Sequence, residues 1–520
     1  MSATTIAAGR AARSAASNRG LITVSIMLAT IMQALDTTIA NVALPHMQGS
    51  MSATQDQISW VLTSYIVAAA IATPLTGYLA ARFGRKRVFA VAVTGFVLAS
   101  MLCGAAQSLE EIIAFRLLQG LFGAGLVPLS QAVLLDTYPK EKHGQAMALW
   151  GVGVMVGPIL GPTLGGYLTE NFDWRWVFYI NLPFGLLALG GILSFVHETE
   201  IDIRRRFDIF GFTMLAIAIG ALQFMLDRGE SQGWFASPEV VIELVLCLLG
   251  LYMFLVHIMT SRAPFMEPAL FLDRNFALGL VTIFIVGIIL LATLALLPPF
   301  LEQLAGFPVL LTGYVLAPRG IGTMIAMFVV GRLIGRIDSR ILIIFGLGLI
   351  AASLWEMTLF TAQVPVPTIV ETGVVQGLGL GFVFVPLSTI TFSTLAPRFR
   401  TEGAAMFSLM RNLGSSIGIS IVVALLARNT QINHENLAAA AQPFNKALQW
   451  LGSGALWDLG SQTGLLALNS EVTRQAATIA YLDDFLLMAV ITVAAAPLVL
   501  LLKTPDRAPR GAAPAAAHMD

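Results

Sequence analysis

Charge is scarce in this sequence: Asp, Glu, Lys and Arg make up 12% of 520 residues, against 57% hydrophobic residues. Soluble domains carry about 25% charged residues, so a water-soluble enzyme is excluded. With a mean hydropathy of +0.80, the composition is that of an integral membrane protein. An excess of one sign is missing too. Thirty Lys and Arg balance thirty Asp and Glu, which removes the electrostatic case for a nucleic-acid partner. Cysteine is nearly absent. Cys103 and Cys247 each lie in an apolar run, which excludes a disulfide scaffold and a cysteine-rich metal site. The six histidines show no His-x-x-x-His spacing, so no metal or other cofactor is expected. No Gly-x-x-x-x-Gly-Lys-Ser/Thr loop occurs, nor any Gly-Lys pair. A built-in ATPase is therefore excluded, and work must be driven by an ion gradient or by the substrate's own. No soluble catalytic domain fits between the apolar runs, so the chain is not expected to be an enzyme.

What the sequence has is long apolar runs. Taking roughly 20 apolar residues per span gives about fourteen, near 21–45, 58–81, 88–106, 111–135, 144–168, 176–196, 208–227, 238–260, 276–301, 309–331, 341–361, 366–394, 402–427 and 482–502. The first follows Arg10, Arg13 and Arg19 and is too long for a signal-peptide core of about 7 to 15 residues. Loop charges test the count, because short cytoplasmic loops collect Lys and Arg. With the N-terminus inside, the cytoplasmic connections hold Arg82, Arg85, Lys86, Arg87, Lys140, Lys142, Arg204, Arg205, Arg206, Arg262, Arg274, Arg332, Arg336, Arg340, Arg398 and Arg400. About 22 basic residues fall inside and 5 outside, so both termini are predicted cytoplasmic.

An internal repeat divides the chain. Gly77-Tyr-Leu79-Ala-Ala81-Arg82-Phe-Gly84-Arg85-Lys86 aligns without gaps to Gly331-Arg-Leu333-Ile-Gly335-Arg336-Ile-Asp338-Ser-Arg340 at Gly, Leu and Arg. Each copy ends the second span of its half. The expected organisation is a cytoplasmic tail over 1–20, a six-helix bundle over 21–200, two inserted helices over 201–265 and a second six-helix bundle over 266–503. The second bundle includes an external stretch, 428–480, with helical pieces and with Pro443, Trp450 and Trp457. A disordered tail follows over 504–520. Transporters built from repeats place the substrate between the halves.

Within the apolar runs, charge marks candidate sites, because a carboxylate at membrane depth costs about 2.5 to 3.5 kcal/mol or more. Asp36, in Leu35-Asp36-Thr37-Thr38-Ile39-Ala40-Asn41-Val42-Ala43-Leu44-Pro45, is the first. An acid there can carry a proton, bind a cation, or be held by Thr37, Thr38 or a neighbouring span. Arg116 opens Arg116-Leu-Leu-Gln119-Gly120-Leu-Phe-Gly123-Ala-Gly125; it either snorkels to the interface or faces a cavity and influences a nearby carboxylate. Arg319 and Arg411 lie deeper and need an acid, a carbonyl or an anionic ligand. Asp36 and Glu356 are the candidate acids. In the fifth span, Gly151-Val-Gly153-Val-Met-Val-Gly157-Pro158-Ile-Leu-Gly161-Pro162-Thr-Leu-Gly165-Gly166 spaces glycines by four, which lets a neighbouring backbone approach. Pro158 and Pro162 free backbone carbonyls and permit bending, so Gly157, Pro158, Gly161, Pro162, Gly165 and Gly166 form a candidate hinge.

Taken in order, these motifs resemble the major facilitator superfamily, and within it the fourteen-span drug:proton antiporter family, the EmrB/QacA group. The likeness covers nearly all the spans and includes Asp173-Trp174-Arg175-Trp176-Val-Phe-Tyr-Ile-Asn181-Leu-Pro183. It implies a major facilitator fold and export of hydrophobic or amphipathic drugs against inward proton flow by rocking of two halves in the bacterial inner membrane. Asp36 would then be the coupling acid, Arg116 a proton-linked residue, the Gly-Pro stretch the flexible part of span five, and Gly77, Arg82, Gly84, Arg85 and Lys86 the cytoplasmic loop motif. In a Gram-negative cell it also implies a periplasmic adaptor protein and an outer-membrane channel. One departure stands out: the family's loop motif usually has Asp where this chain has Ala81, and Gly335 takes that place in the second copy. The latch made by that acid is left open, and Arg82, Arg85 and Lys86 need other partners. Two other functions compete: a dedicated exporter of one metabolite or siderophore, or an importer, in the same fold; and a non-transporting membrane scaffold. Buried charge along one path argues against the scaffold.

Overall fold

The computed structural model describes residues 3–199, 201–203, 206–440 and 461–503. Among these the secondary structure is helical, with no strand beyond one isolated bridge between Ile334 and Ile337. Thirteen helices are long and apolar enough to cross a membrane, or fourteen when the bent pair Gln57–Ala72 and Leu75–Phe83 is one span. That agrees with the fourteen apolar runs. The helices are α1 (Ala3–Ser50), α2 (Gln55–Ala72), α3 (Leu75–Phe83), α4 (Arg85–Ala105), α5 (Leu109–Gly123), α6 (Leu126–Thr137), α7 (His143–Asn171), α8 (Trp176–Tyr179) and α9 (Asn181–Phe195). Then come α10 (Ile209–Arg228), α11 (Pro238–Thr260), α12 (Ala269–Leu272), α13 (Arg274–Pro299), α14 (Val309–Leu333), α15 (Ser339–Met357), α16 (Val366–Ser393), α17 (Arg400–Ala440) and α18 (Gln462–Leu500).

Local chemistry sets the boundaries. Thr54 and Gln57 form a capping box at the start of α2, and Ser108, Asp208, Asp273, Asp338 and Ser461 each accept a backbone N–H at the start of α5, α10, α13, α15 and α18. These side chains satisfy donors that a helix start leaves open. Two spans read as single runs are broken. Pro74 lacks an N–H, and α2 and α3 meet at 54°; Ala124 and Gly125 separate α5 from α6. In α7 the two prolines leave the helix continuous over 29 residues.

The stretch 428–480, expected as an external segment with helical pieces, is helical wherever it is described. Its first thirteen residues continue α17 to Ala440, and α18 begins at Gln462, twenty residues before the apolar run. Polar helix extends past the bilayer-length window there, and hydropathy does not register it. Residues 441–460, with Pro443, Trp450 and Trp457, and the tail 504–520 lie outside the described residues. The two repeat copies also differ in detail. Gly84 turns the first loop at φ +92, whereas its match Asp338 caps α15 at φ −62, and the second loop turns at Gly335, φ +88. Glycine at both turns avoids the Cβ strain of positive φ.

Helix α7 is packed on two sides. Gly153, Gly157, Gly161 and Gly165 lie against Met27, Ala34, Thr38 and Val42 of α1. Another face meets α14: a Cβ at Gly144 would strike Ile334, one at Gly151 would strike Met327, and one at Gly320 would strike Ile159. Stripes of small residues let these helices approach where lipid offers no hydrophobic drive to associate. Helix α10, packed mainly on α11, also bonds to α2 and α17, since the Thr63 hydroxyl of α2 donates to Asp227 and Ser420 of α17 donates to the Leu226 carbonyl at 3.0 Å.

Candidate functional site

The first candidate acid is buried and fully engaged. Asp36 is 2% exposed and Arg116 1%. One carboxylate oxygen accepts from Arg116 Nη1 at 2.8 Å; the other accepts from Gln119 Nε2 at 2.7 Å and Asn181 Nδ2 at 2.8 Å. Arg116 also donates to the Gln119 carbonyl oxygen and to the Val61 backbone, and its guanidinium lies 4.4 Å from the Tyr65 ring centroid. Asn181 is tied to Ser100, whose hydroxyl donates to the Phe178 carbonyl at 2.8 Å. The cluster thus knits α1, α2, α4, α5, α8 and α9 around a neutral pair. Snorkelling of Arg116 is excluded by this geometry. A buried pair stabilises only when its geometry and surrounding hydrogen bonds are good; here both carboxylate oxygens are engaged, and Asn181 Oδ1 is left buried without a partner.

Two residues along α1, the Thr38 hydroxyl is shared among the Leu35 carbonyl at 3.0 Å, the Ala34 carbonyl at 3.1 Å and the carbonyl of Gly157 on α7 at 3.1 Å. The hinge candidates differ sharply in surroundings. A Cβ at Gly157 would strike the Ala34 carbonyl and one at Gly161 the Thr38 hydroxyl, while Gly166 has nothing within 4 Å. Pro158 and Pro162 are exposed.

Arg319 and Arg411 are not brought to Asp36. Arg319, 6% exposed on α14, donates from Nη2 to the Leu290 carbonyl at 3.3 Å, and its Nη1 is buried without a partner. Arg411, half-buried on α17, has one long contact from Nη2 to Asn412 at 3.4 Å. Among the described residues neither joins an ion pair. Glu356, expected as a candidate partner, lies half-buried in the last turn of α15 and pairs with neither.

The loop motif does find other partners. Arg85 pairs with Asp136, Asp136 pairs with Arg400 of α17 at 2.5 Å, and Arg85 Nε donates to Thr401 at 3.1 Å. Asp136 therefore bridges a residue beside Gly84 to the start of α17, without any acid at position 81. Glu198 accepts the backbone N–H groups of Lys86 at 2.9 Å and Arg87 at 3.3 Å, and Asp202 donates its own N–H to the Ala81 carbonyl at 2.9 Å. A cavity of about 630 Å³ opens beside them, lined in part by Gly77, Ala81, Arg85, Asp136 and Glu402. Arg82 is half-buried with Nη1 unpartnered.

Sequence reasoning passed over Gln119 and Asn181 as partners of Asp36, although both stand as amides inside apolar runs. It also passed over Asp136, Arg400 and Asp484. Asp484 is 1% exposed, with one oxygen unpartnered; it stands at the start of the apolar run 482–502, well inside α18, which begins at Gln462.

The comparisons agree with this architecture. The Major Facilitator Superfamily model matches residues 26–419. The multidrug export protein EmrB of Escherichia coli K12 is 35% identical over 93% of this chain and 95% of its own, and the fatty acid resistance protein FarB of Neisseria gonorrhoeae is 35% identical over 93% and 96%. The human organic anion transporter MFSD10 superposes with a TM-score of 0.61 over 91% of this chain and 99% of its own, at 16% identity, which bears on fold alone. With its helical bundle and apolar spans, the chain belongs to the major facilitator superfamily, in its EmrB-like branch, and is a multi-pass protein of the bacterial inner membrane.

Proposed function

We propose that this protein is a proton-coupled exporter of hydrophobic or amphipathic drugs and toxic compounds, working by alternating access. The supporting observation is the link Asp36, Thr38, Gly157. The acid that can take a proton sits two residues from a hydroxyl bonded to α7, and α7 packs between α1 and α14. Protonating Asp36 removes the charge that holds Arg116 and weakens the bonds from Gln119 and Asn181, since charged hydrogen bonds are roughly twice as strong as neutral ones. The α1 backbone is then free to shift, and α7 carries the shift to α14. Residues 21–200 rock against 266–503, with Gly157, Pro158, Gly161 and Pro162 as the joint. With the basic loops and both termini in the cytoplasm, the Arg85–Asp136–Arg400 bridge closes the cytoplasmic end. The EmrB-like branch extends this reading to a periplasmic adaptor and an outer-membrane channel; crosslinking in intact cells with no periplasmic protein captured would remove that extension.

Cation binding at Asp36 is disfavoured, because its oxygens already accept three bonds. The test is pH-gradient-driven dye efflux and substrate-induced proton release in proteoliposomes, for wild type and Asp36→Asn. Wild type is expected to transport and the variant to lose gradient dependence. Equal transport by both would take Asp36 out of the proton path.

A further inference from the structure

Asp484 is a buried acid for which the coupling described above has no use. It is 1% exposed on α18, its Oδ2 is buried without a partner, and no cation pairs with it among the described residues. Asp36, nearly as buried, meets a guanidinium and two amides. An isolated carboxylate in an apolar interior costs far more than the neutral acid, so a group placed like Asp484 keeps its proton. One acid is held as a carboxylate and the other as a carboxylic acid.

Aromatic rings surround the position. Tyr481, one turn earlier on α18, and Phe485, the next residue, both pack on Phe300, with ring centroids 5.5 and 6.4 Å away, and all three are buried. Phe300 opens a π-helical turn, Phe300–Leu304, directly after Pro298 and Pro299 of α13. The prolines give no N–H to the helix ladder, and π turns gather at functional sites. The ring that packs on both neighbours of Asp484 therefore hangs on the most loosely bonded end of its helix. Solvent is close, because Asp483 is exposed at the start of the apolar run and α18 extends twenty residues beyond it. In the other direction, Met488 lies one turn further along α18. Its sulfur is 3.9 Å from the Thr293 hydroxyl, which accepts from Gln376 of α16 at 3.4 Å, and Gln376 Oε1 is itself buried without a partner. Polar groups thus continue from Asp484 into the second bundle. The other titratable groups at this end are Tyr481 and Asp483 on α18, Glu302 on the π turn, Glu356 in the last turn of α15 and exposed Arg428 on α17. Among the described residues none of them bonds to Asp484.

We propose that Asp484 is a second proton-binding site, in the second bundle and separate from Asp36, at the outer membrane edge beside Asp483 and closed over by Phe300. In the exporter proposed above, on which its use rests, it adds one proton to each cycle. The carboxylate takes that proton from water outside and, as the acid, returns it to water on the cytoplasmic side.

The test is infrared spectroscopy of the full chain in phosphatidylcholine nanodiscs, with no gradient and no substrate. Wild type should show the carbonyl band of a protonated carboxyl at neutral pH, fading as the pH is raised. Asp484→Asn should lose that band, Asp484→Glu should restore it at a shifted position, and Asp36→Asn should keep it. The asparagine has the shape of the neutral acid, so Tm in the same discs should be unchanged, and the glutamate variant keeps the test open if it is not. A band that survives in Asp484→Asn overturns the site. A band lost there but unresponsive to pH in wild type also overturns it, leaving Asp484 a fixed neutral acid. Phe300→Ala should speed the response of the band to a pH jump at least tenfold; an unchanged rate overturns the closure by Phe300. In proteoliposomes with the membrane potential clamped at zero and an equal pH difference, Asp484→Asn should sustain a ratio of the neutral dye Nile red equal to the square root of the wild-type ratio, because two protons become one. An unchanged ratio overturns the added proton. Failure of proton-driven efflux in wild type would sink the earlier reading and leave the infrared result standing.

Discussion

Around Asp36 one acid meets one guanidinium and two amides, and no charge is left over; around Arg319 a guanidinium nearly as buried meets a single backbone carbonyl and no acid. The first cluster balances its charge and ties six helices together, with Asn181 Oδ1 its one unpartnered atom. The second leaves a guanidinium nitrogen, Arg319 Nη1, buried without a partner. Buried charge thus has two opposite meanings in one molecule, and partners rather than depth tell them apart.

The largest effect should come from breaking the complete cluster. Arg116→Ala leaves the Asp36 carboxylate buried with amides alone and should lower stability by about 3 to 5 kcal/mol, read as a drop in Tm of the purified protein. Arg319→Gln, which deletes an uncompensated charge, should leave Tm unchanged or raised; equal losses in the two variants would erase the contrast.

A second comparison lies within the hinge. Gly157→Ala drives a methyl into the Ala34 carbonyl, an overpacking penalty of about 1 to 3 kcal/mol, and should slow efflux roughly tenfold. Gly166→Ala points into open space and should transport within about twofold of wild type. If both alanines behave alike, the α1/α7 contact does not govern transport.

Asp136→Asn should act more weakly, since the Asp136 side chain is 35% exposed and solvent screens the bridge to about 1 kcal/mol. The fraction of molecules open at that end should rise about fivefold, measured by maleimide labelling of a cysteine placed at Ile334; unchanged labelling would show that apolar packing alone holds the end closed. The smallest effect is expected for Thr38→Val, which removes one neutral hydrogen bond of about 1 kcal/mol. It should lower gradient-driven efflux a few-fold, whereas unchanged efflux would take the Thr38 contact with Gly157 out of the coupling path.

Much of the fold was legible because bilayer thickness imposes one length on every span and the loops collect basic residues. The breaks at Pro74 and at Ala124 and Gly125 were hidden inside uninterrupted apolar runs. Helical pieces were expected beyond residue 428, but their continuity with α17 was not legible, because polar helix leaves no hydropathy signal. In the candidate site, Asp36, Arg116, Arg319 and Arg411 were legible as charges in the wrong solvent. Their pairing was not. Asp36 and Arg116 stand 80 residues apart, and Asp136 and Arg400 stand 264 apart, so only packing of the helices decides who meets whom. Gln119, Asn181 and Gln376 were harder still, since a neutral amide in an apolar run gives a weaker alarm than a charge.

Helix α10 has a mechanical consequence. It is fastened to α2 through Thr63 and Asp227 and to α17 through Leu226 and Ser420, whereas α7 and α14 meet through glycines against Ile, Met and Ala side chains. One flank of the molecule is riveted by polar bonds; the other is greased. If the halves swing, they do so as a door hung at α10, and the free edge travels along α7, past Arg319.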